Sequence, residues 1–442
     1  MSGIVSNQPS EASHLRECPG CGLLQVTPPL SRGMSAQCVR CPTILHHAPA
    51  HSFQHSMALT GAALVLLIIL CTTMLMGVET AGISLQAGLF SGPAELVRRG
   101  MDALAAVVVF VVVVAPFVML GARLYVLIRL HEDHPPRHLR RLFVLSEKLR
   151  PWSMVEVFVF GVFVAYVKLG DLVHITLLAG VYVLLALTFV MIWADSDLDR
   201  EAVWAHLGRR GIDDVSRLTT GDRHPGPDAI GCETCGLVSI PLGHHARCLR
   251  CDSALHRRKP NSISRTWALV IAAAVLYIPA NYYPVLTVMQ LGAGTPSTIL
   301  GGVEELISSR MYPLAALVFF ASIAVPMLKL VGLSIMLITA QTGSVYHLRK
   351  RVRLYQVVCW VGRWSMIDIF MEALLGALVR FGTVITIEPG IGAVAFCAVV
   401  ILTMFAAETF DPRLMWDAAG QNDPKDAAGP APSATAPLVV TS

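Results

Sequence analysis

Charge is scarce in this sequence. Asp, Glu, Lys and Arg supply only 14% of 442 residues, while hydrophobic residues supply 54%. That balance is too apolar for a water-soluble chain of this size and is expected of a polytopic membrane protein. Chemical motifs are equally sparse: there is no nucleotide loop, no Ser/His/Asp set and no metal-hydrolase helix, so no enzyme is expected. The chain also lacks dense basic or aromatic surroundings for its cysteine motifs, which argues against nucleic acid as a partner. Residues 1–57 are polar without an early apolar core, so no secretory signal is expected.

What is present is cysteine in a fixed pattern. Eight of the eleven cysteines form two sets: Cys18, Cys21, Cys38 and Cys41, then Cys232, Cys235, Cys248 and Cys251. A Cys-x-x-Cys pair sets two thiolates on one tight turn, and two pairs complete the four-sulfur shell that zinc prefers. With no position left for water, each set predicts a closed structural zinc site, hence two structural ions. A rubredoxin-like iron site has the same ligands and stands as the alternative. A disulfide framework fits poorly if these segments face a reducing cytoplasm. Cys71, Cys359 and Cys397 lie in or beside apolar runs and read as small buried hydrophobes. His46, His47, His51 and His55 read as linker residues.

The chain is duplicated at an offset of about 210 to 214 positions. Trp152-Ser-Met-Val-Glu-Val-Phe158 returns as Trp364-Ser-Met-Ile-Asp-Ile-Phe370, and Pro116 as Pro326. The expected fold is an all-α polytopic membrane protein with eight transmembrane helices in two tandem four-helix repeats. A small cytoplasmic four-cysteine module, of zinc-ribbon (rubredoxin-like) type, precedes each repeat. The spacing predicts a disordered N-terminus over 1–13, the first module over 14–55, the first unit over 56–194 and a linker over 195–227. The second module follows over 228–258, the second unit over 262–410 and a disordered tail over 418–442. The first unit's expected spans run from Met57 to Val78, Met101 to Leu130, Trp152 to about Val173 and His174 to Trp193. Those of the second run from Trp267 to Met289, Met311 to Thr339, Trp364 to about Val384 and Gly390 to Ala407. Residues 82–99 read as a polar loop, and only a very short turn is expected between spans three and four. Two basic connectors, with Arg137, Arg140, Arg141, Lys148 and Arg150, then Arg349, Lys350, Arg351, Arg353 and Arg363, place both termini and both modules in the cytoplasm.

A charge within hydrocarbon costs roughly 2.5 to 3.5 kcal/mol, so a retained one needs a partner or a purpose. Lys168 and Asp171 are three apart on one helix and can share a face, while Lys329 lies deep in span six. These three are expected to converge as an intramembrane polar network beside a lipid path. Arg123, Glu156, Asp368 and Glu372 read as residues that snorkel or pair as helix glue. Pro279, Asn281 and Pro284 are expected to break span five and free backbone carbonyls.

Together, the paired cysteine sets, Pro279-Ala-Asn281 with Pro284, the two Trp-Ser-Met motifs and the ending Thr409-Phe-Asp-Pro-Arg-Leu-Met-Trp416 resemble the paraquat-inducible protein A family over about residues 15–417. The resemblance implies a multi-pass protein of a bacterial cell inner membrane that handles phospholipids and partners a periplasmic MCE-domain protein. It also implies zinc in the modules, and places the family's intramembrane polar set on Lys168, Asp171 and Lys329. Two rival readings stay open: a membrane redox protein with iron sites, and a zinc-stabilised scaffold without transport.

Overall fold

The computed structural model describes residues 14–27, 30–49, 53–80, 83–130, 136, 138–170, 174–208, 229–240, 246–290, 293–378, 385–422 and 440–441. Two hairpins open it: β1 (His14–Glu17) with β2 (Leu24–Thr27), and β3 (Ser35–Gln37) with β4 (Ile44–His47). The first unit follows with α1 (Phe53–Thr72), β5 (Met74–Thr80), β6 (Ile83–Gly88) and α2 (Ser91–Arg98). It continues through α3 (Asp102–Arg129), α4 (His138–Leu149), α5 (Val155–Gly170), β7 (His174–Leu177), α6 (Ala179–Ser196) and α7 (Arg200–Gly208).

A second, smaller hairpin module pairs β8 (Ile230–Gly231) with β9 (Val238–Ser239). The second unit then repeats the plan. It contains α8 (Ser262–Tyr282), β10 (Leu286–Gln290), β11 (Ala293–Ser297) and α9 (Ile299–Ser308). Its next span, α10, joins Tyr312–Phe319, Phe320–Ala324 and Val325–Gln341. Then come α11 (Leu348–Gly362), α12 (Ile367–Leu378), β12 (Ile385–Pro389), α13 (Ile391–Thr409) and α14 (Leu414–Ala418).

Among the described residues seven helices are long and apolar enough to cross a membrane. The expected span from Trp364 to Val384 starts with a 3-10 turn, Arg363–Met366, and is α-helical over Ile367–Leu378; residues 379–384 lie outside the described residues.

The all-α expectation needs a correction. Each unit carries a three-stranded antiparallel sheet at the end of its bundle remote from the cysteine modules, in the orders β6-β5-β7 and β11-β10-β12. Span one therefore stops at Thr72 and span five at Tyr282, with strands where longer helices were expected. The supposed loop 82–99 is strand β6 and helix α2, and the supposed short turn before span four is β7. The central strand of each sheet binds neighbours on both sides, so the backbone groups beyond each helix find partners.

Spans α3 and α10 each contain one π turn, Phe110–Val114 and Phe320–Ala324, just before Pro116 and Pro326. The N–H of Ala115 bonds to the Phe110 carbonyl and that of Val325 to the Phe320 carbonyl, five residues back. Proline has no N–H to continue this register, which leaves the carbonyl of Val111 free. Backbone N–H of Met154, in the first Trp-Ser-Met motif, meets that carbonyl at 3.5 Å.

The two units meet along α5 and α12. Phe158 and Phe370, the last residues of the two Trp-Ser-Met motifs, stand edge to face at 5.5 Å. A Cβ on Gly161 would come within 2.8 Å of the Phe370 Cβ, so glycine sets how closely the two helices approach. One buried hydrophobic cluster runs from Leu67 and Val108 in the first unit to Leu374 and Phe396 in the second.

Candidate metal centres and the chamber between the units

The eight motif cysteines assemble as two clusters, each with all four sulfurs within 4.8 Å of one another. Cys18 and Cys41 sulfurs are 3.4 Å apart and those of Cys21 and Cys38 3.6 Å; in the second cluster the Cys232–Cys251 and Cys235–Cys248 pairs are each 3.5 Å apart. Bonds of roughly 2.3 Å to a tetrahedral ion would put sulfurs roughly 3.8 Å apart, so each donor set fits one metal ion. The backbone builds each turn in the same way. Gly22 N–H bonds to the Cys18 carbonyl and Gly236 N–H to the Cys232 carbonyl, at 2.8 and 2.9 Å. Both glycines hold φ above +70°, where a side chain would be strained.

The modules dock crosswise. The first precedes unit one in sequence, yet its cysteines pack in the same buried cluster as Leu333 and Met336 of α10 and Val352 of α11, in unit two. Gln356 of α11 donates to Thr43 at 3.2 Å, and Arg349 donates to the Arg40 carbonyl at 2.8 Å. The second module precedes unit two but packs with Val126 and Leu127 of α3, Phe143 of α4 and Trp204 of α7, in unit one.

A buried charge cluster joins the modules to each other. Glu17 of the first module accepts from backbone N–H of Gly231 in the second at 2.7 Å, and from Arg258 and Arg413 at 3.1 Å each. Arg413 also donates to Asp411 at 3.0 Å and to Glu233 beside Cys232. Burial alone would lower the pKa of Arg413; Asp411, Glu17 and Glu233 reverse that and hold it above the ordinary arginine value. Asp417 shows the matching behaviour: burial opposes its ionisation, and hydrogen bonds from Arg258 and Asn422 outweigh it, so its pKa lies below normal. Two parts of the expected disordered tail are structured: Asn422 donates to the Cys21 carbonyl at 3.0 Å, and Val440–Thr441 pair with β3; residues 423–439 lie outside the described residues. His46 is no metal ligand in this geometry. It pairs with Glu201 at 3.1 Å.

Within the bundle, the expected polar residues divide into two groups. Lys168 of α5 shares an electrostatic neighbourhood with Glu372, Glu305 and Asp368 of the second unit. Asp368 and Glu372 are each only 6% exposed, so they are interior residues and do not snorkel. Ser322, in the second π turn, donates to Asp368, whose other carboxylate oxygen has no hydrogen-bond partner among the described residues. Asp171, expected to join Lys168 to Lys329, lies outside the described residues. Arg123 is 1% exposed and sits between Asp195 at 3.1 Å and Glu147 at 3.7 Å, while Glu156 pairs with Arg363 at 3.1 Å.

Lys329 occupies different surroundings. Its ammonium donates to Thr403 at 3.3 Å, and a Cβ on Gly362 would meet its Cε at 3.0 Å. It lines a chamber of about 1220 Å³ between the units, whose wall includes residues of both cysteine modules. Met119, Phe160 and Met191 give that chamber apolar walls from unit one, Trp364 and Met404 from unit two; Arg150, Glu156 and Arg363 add charge. Neither the chamber nor the burial of Asp368 was evident from hydropathy. The acid at the same place in both Trp-Ser-Met motifs was the available signal.

The helix break expected at Pro279, Asn281 and Pro284 falls between the prolines. α8 runs through Pro279 and ends at Tyr282. The Asn281 side chain donates to the Tyr277 carbonyl at 2.8 Å, and the Pro284 carbonyl accepts from Gly392 at the start of α13 at 3.2 Å.

A family model described as "Paraquat-inducible protein A" matches residues 53–208 and 263–420, one match per unit. The "Intermembrane transport protein PqiA" of Escherichia coli K12 is 33% identical over 407 residues, covering 90% of this chain and 95% of that protein. "Lipophilic envelope-spanning tunnel protein A" of the same strain is 29% identical over 91% of each chain. A "Probable intermembrane transport protein" of Haemophilus influenzae is 26% identical over 93% of this chain and 97% of its own. No solved structure matches the chain.

Proposed function

The chain belongs to the paraquat-inducible protein A family, and we propose that it is a non-enzymatic inner-membrane component of an MCE-type lipid transport system. In this reading it passes phospholipids between the inner membrane and a periplasmic MCE tunnel, and both termini and both cysteine modules face the cytoplasm. The names of its relatives support intermembrane transport. The observation that carries the lipid reading is the chamber itself. About 1220 Å³ between two membrane units, lined by both apolar and charged side chains, matches the amphipathic character of a phospholipid.

The metal in the modules is zinc, one structural ion per four-cysteine set. The closed, buried donor sets support a folding role: each ion would hold two hairpin turns together, and each module in turn bridges units. Lys168, Asp368 and Glu372 lie where α5 meets α12. A change in their charge would alter that contact, giving the units a means of moving against each other.

Purified protein analysed for metal and extracted lipid tests this reading against the redox alternative. Two zinc ions per chain with bound phospholipid are expected. A red, reducible chromophore without lipid would replace the transport reading with electron transfer.

A further inference from the structure

Five lysine or arginine side chains line the chamber: Arg16, Arg150, Arg200, Lys329 and Arg363. Four of them are neutralised locally. Arg16 pairs with Glu201, Arg150 and Arg200 with Asp195, and Arg363 with Glu156. Lys329 is the exception. It has no carboxylate within ion-pair distance among the described residues, and its one hydrogen bond goes to a neutral hydroxyl, Thr403 Oγ1. Yet it is 1% exposed. Of the acids on the wall, Glu408 has no ion pair among the described residues, but it is exposed and also makes none with the buried ammonium.

A buried ammonium without a counter-ion is costly, and the cost disappears if something anionic enters the space it faces. The chamber beside it is large enough for more than a small ion. Phe160, Trp360 and Trp364 line it, their rings tilted against one another at centroid distances of 4.7 and 5.8 Å, and Phe160 and Trp360 are exposed. Aromatic rings with one wet and one apolar side suit the level of lipid headgroups. They share the pocket that holds Lys329.

Resting on the lipid-transport reading above, we propose that Lys329 and Thr403 form a phosphate subsite that selects phospholipids of net negative charge. The phosphodiester would accept from Lys329 Nζ and Thr403 Oγ1, with the acyl chains along Met119, Met191 and Met404. Selection for net charge follows from the wall: its half-buried acids Glu156, Asp195 and Glu201 are already held by arginines, and the remaining one, Glu408, is exposed. The first unit provides the control. The counterpart of Lys329 is Met119 and that of Thr403 is Met191, so the duplicated fold accepts methionine at both places.

The test compares intact protein with Lys329→Met, which removes the charge and retains an unbranched chain of similar length. Each is purified in detergent and titrated with phosphatidylglycerol, phosphatidylcholine or inorganic phosphate, with thermal unfolding and native mass spectrometry as readouts. Expected are tenfold or greater preference of the wild-type protein for phosphatidylglycerol over phosphatidylcholine, and loss of that preference in Lys329→Met with bound phosphatidylcholine retained. Equal binding of the two lipids by wild-type protein, or an unchanged preference in the variant, overturns the subsite while leaving lipid transport standing. Binding of inorganic phosphate as tight as that of phosphatidylglycerol would make it a free-anion site and also overturn the proposal. Absence of any lipid binding by the wild-type protein would remove the transport reading itself.

Discussion

Glu17, in the first described strand, accepts a hydrogen bond at 3.1 Å from Arg413, which lies beyond the last membrane helix. Both are nearly buried, and the pair closes a circuit from the first cysteine module through the second to the end of unit two. Because the modules dock crosswise, the circuit ties the two units together at one end of the bundle. The α5–α12 contact holds them within the membrane.

Breaking that circuit has a large expected cost. Arg413→Ala leaves Asp411 and Glu17 buried with fewer partners, a loss of roughly 3–5 kcal/mol for a buried ion-pair network. Hydrogen exchange should show faster opening of residues 14–49 and 229–258 in the variant, with the membrane helices protected as before. Uniform protection throughout would contradict the circuit.

Cys232→Ser removes one sulfur from a closed set and leaves Cys235, Cys248 and Cys251 unable to complete a tetrahedron. Metal content should fall by about one ion per chain, and α4 and α7, which pack on that module, should become more accessible to protease. Unchanged metal and unchanged proteolysis would refute a structural role for the second centre.

Acid should loosen the first module before it affects the bundle. Burial lowers the pKa of His46 below the ordinary 6.5, and nearby Arg16 lowers it further, against an opposing effect of Glu201. A histidine with a depressed folded pKa favours the folded state above its unfolded pKa, and loses that contribution as pH falls below about 6.5. Limited proteolysis of the first module should therefore accelerate between pH 7.5 and 5.5. His46→Gln should flatten that dependence; an unchanged profile would assign it to other groups.

Asp368→Asn keeps the size of the side chain and its hydrogen bond with Ser322 but removes the charge near Lys168. Envelope integrity in complemented cells should be lost while protein level and metal content stay at wild-type values. Equal loss of protein would return Asp368 to a packing role.

Much of this organisation was legible in the sequence because it rests on repetition and spacing. The two cysteine sets and the duplicated Trp-Ser-Met motifs could be read directly, and so could most of the membrane helices. The sheets were missed because Met74–Thr80 and Leu286–Gln290 follow apolar helices without a drop in hydropathy, and a hydropathy pattern alone extends the helix through them. Their β-branched residues, as in Ile385-Thr-Ile, were the weaker signal. Crosswise docking left no trace, since Glu17 and Arg413 are paired by tertiary structure across 396 positions. The interior position of Glu372 was hidden for a related reason: its counterpart in the first unit is Phe160, and asymmetry between copies does not say which side chain faces inward.

Lipid in the chamber between the units would show in the lipid stoichiometry of the purified protein. Phospholipid extracted from detergent-purified protein would be quantified per chain, before and after Met119→Trp fills part of the chamber. About one tightly held phospholipid per chain is expected in the wild-type protein and a clear deficit in the variant, with both metal centres intact. Equal lipid in the two proteins, or none in either, would contradict the account.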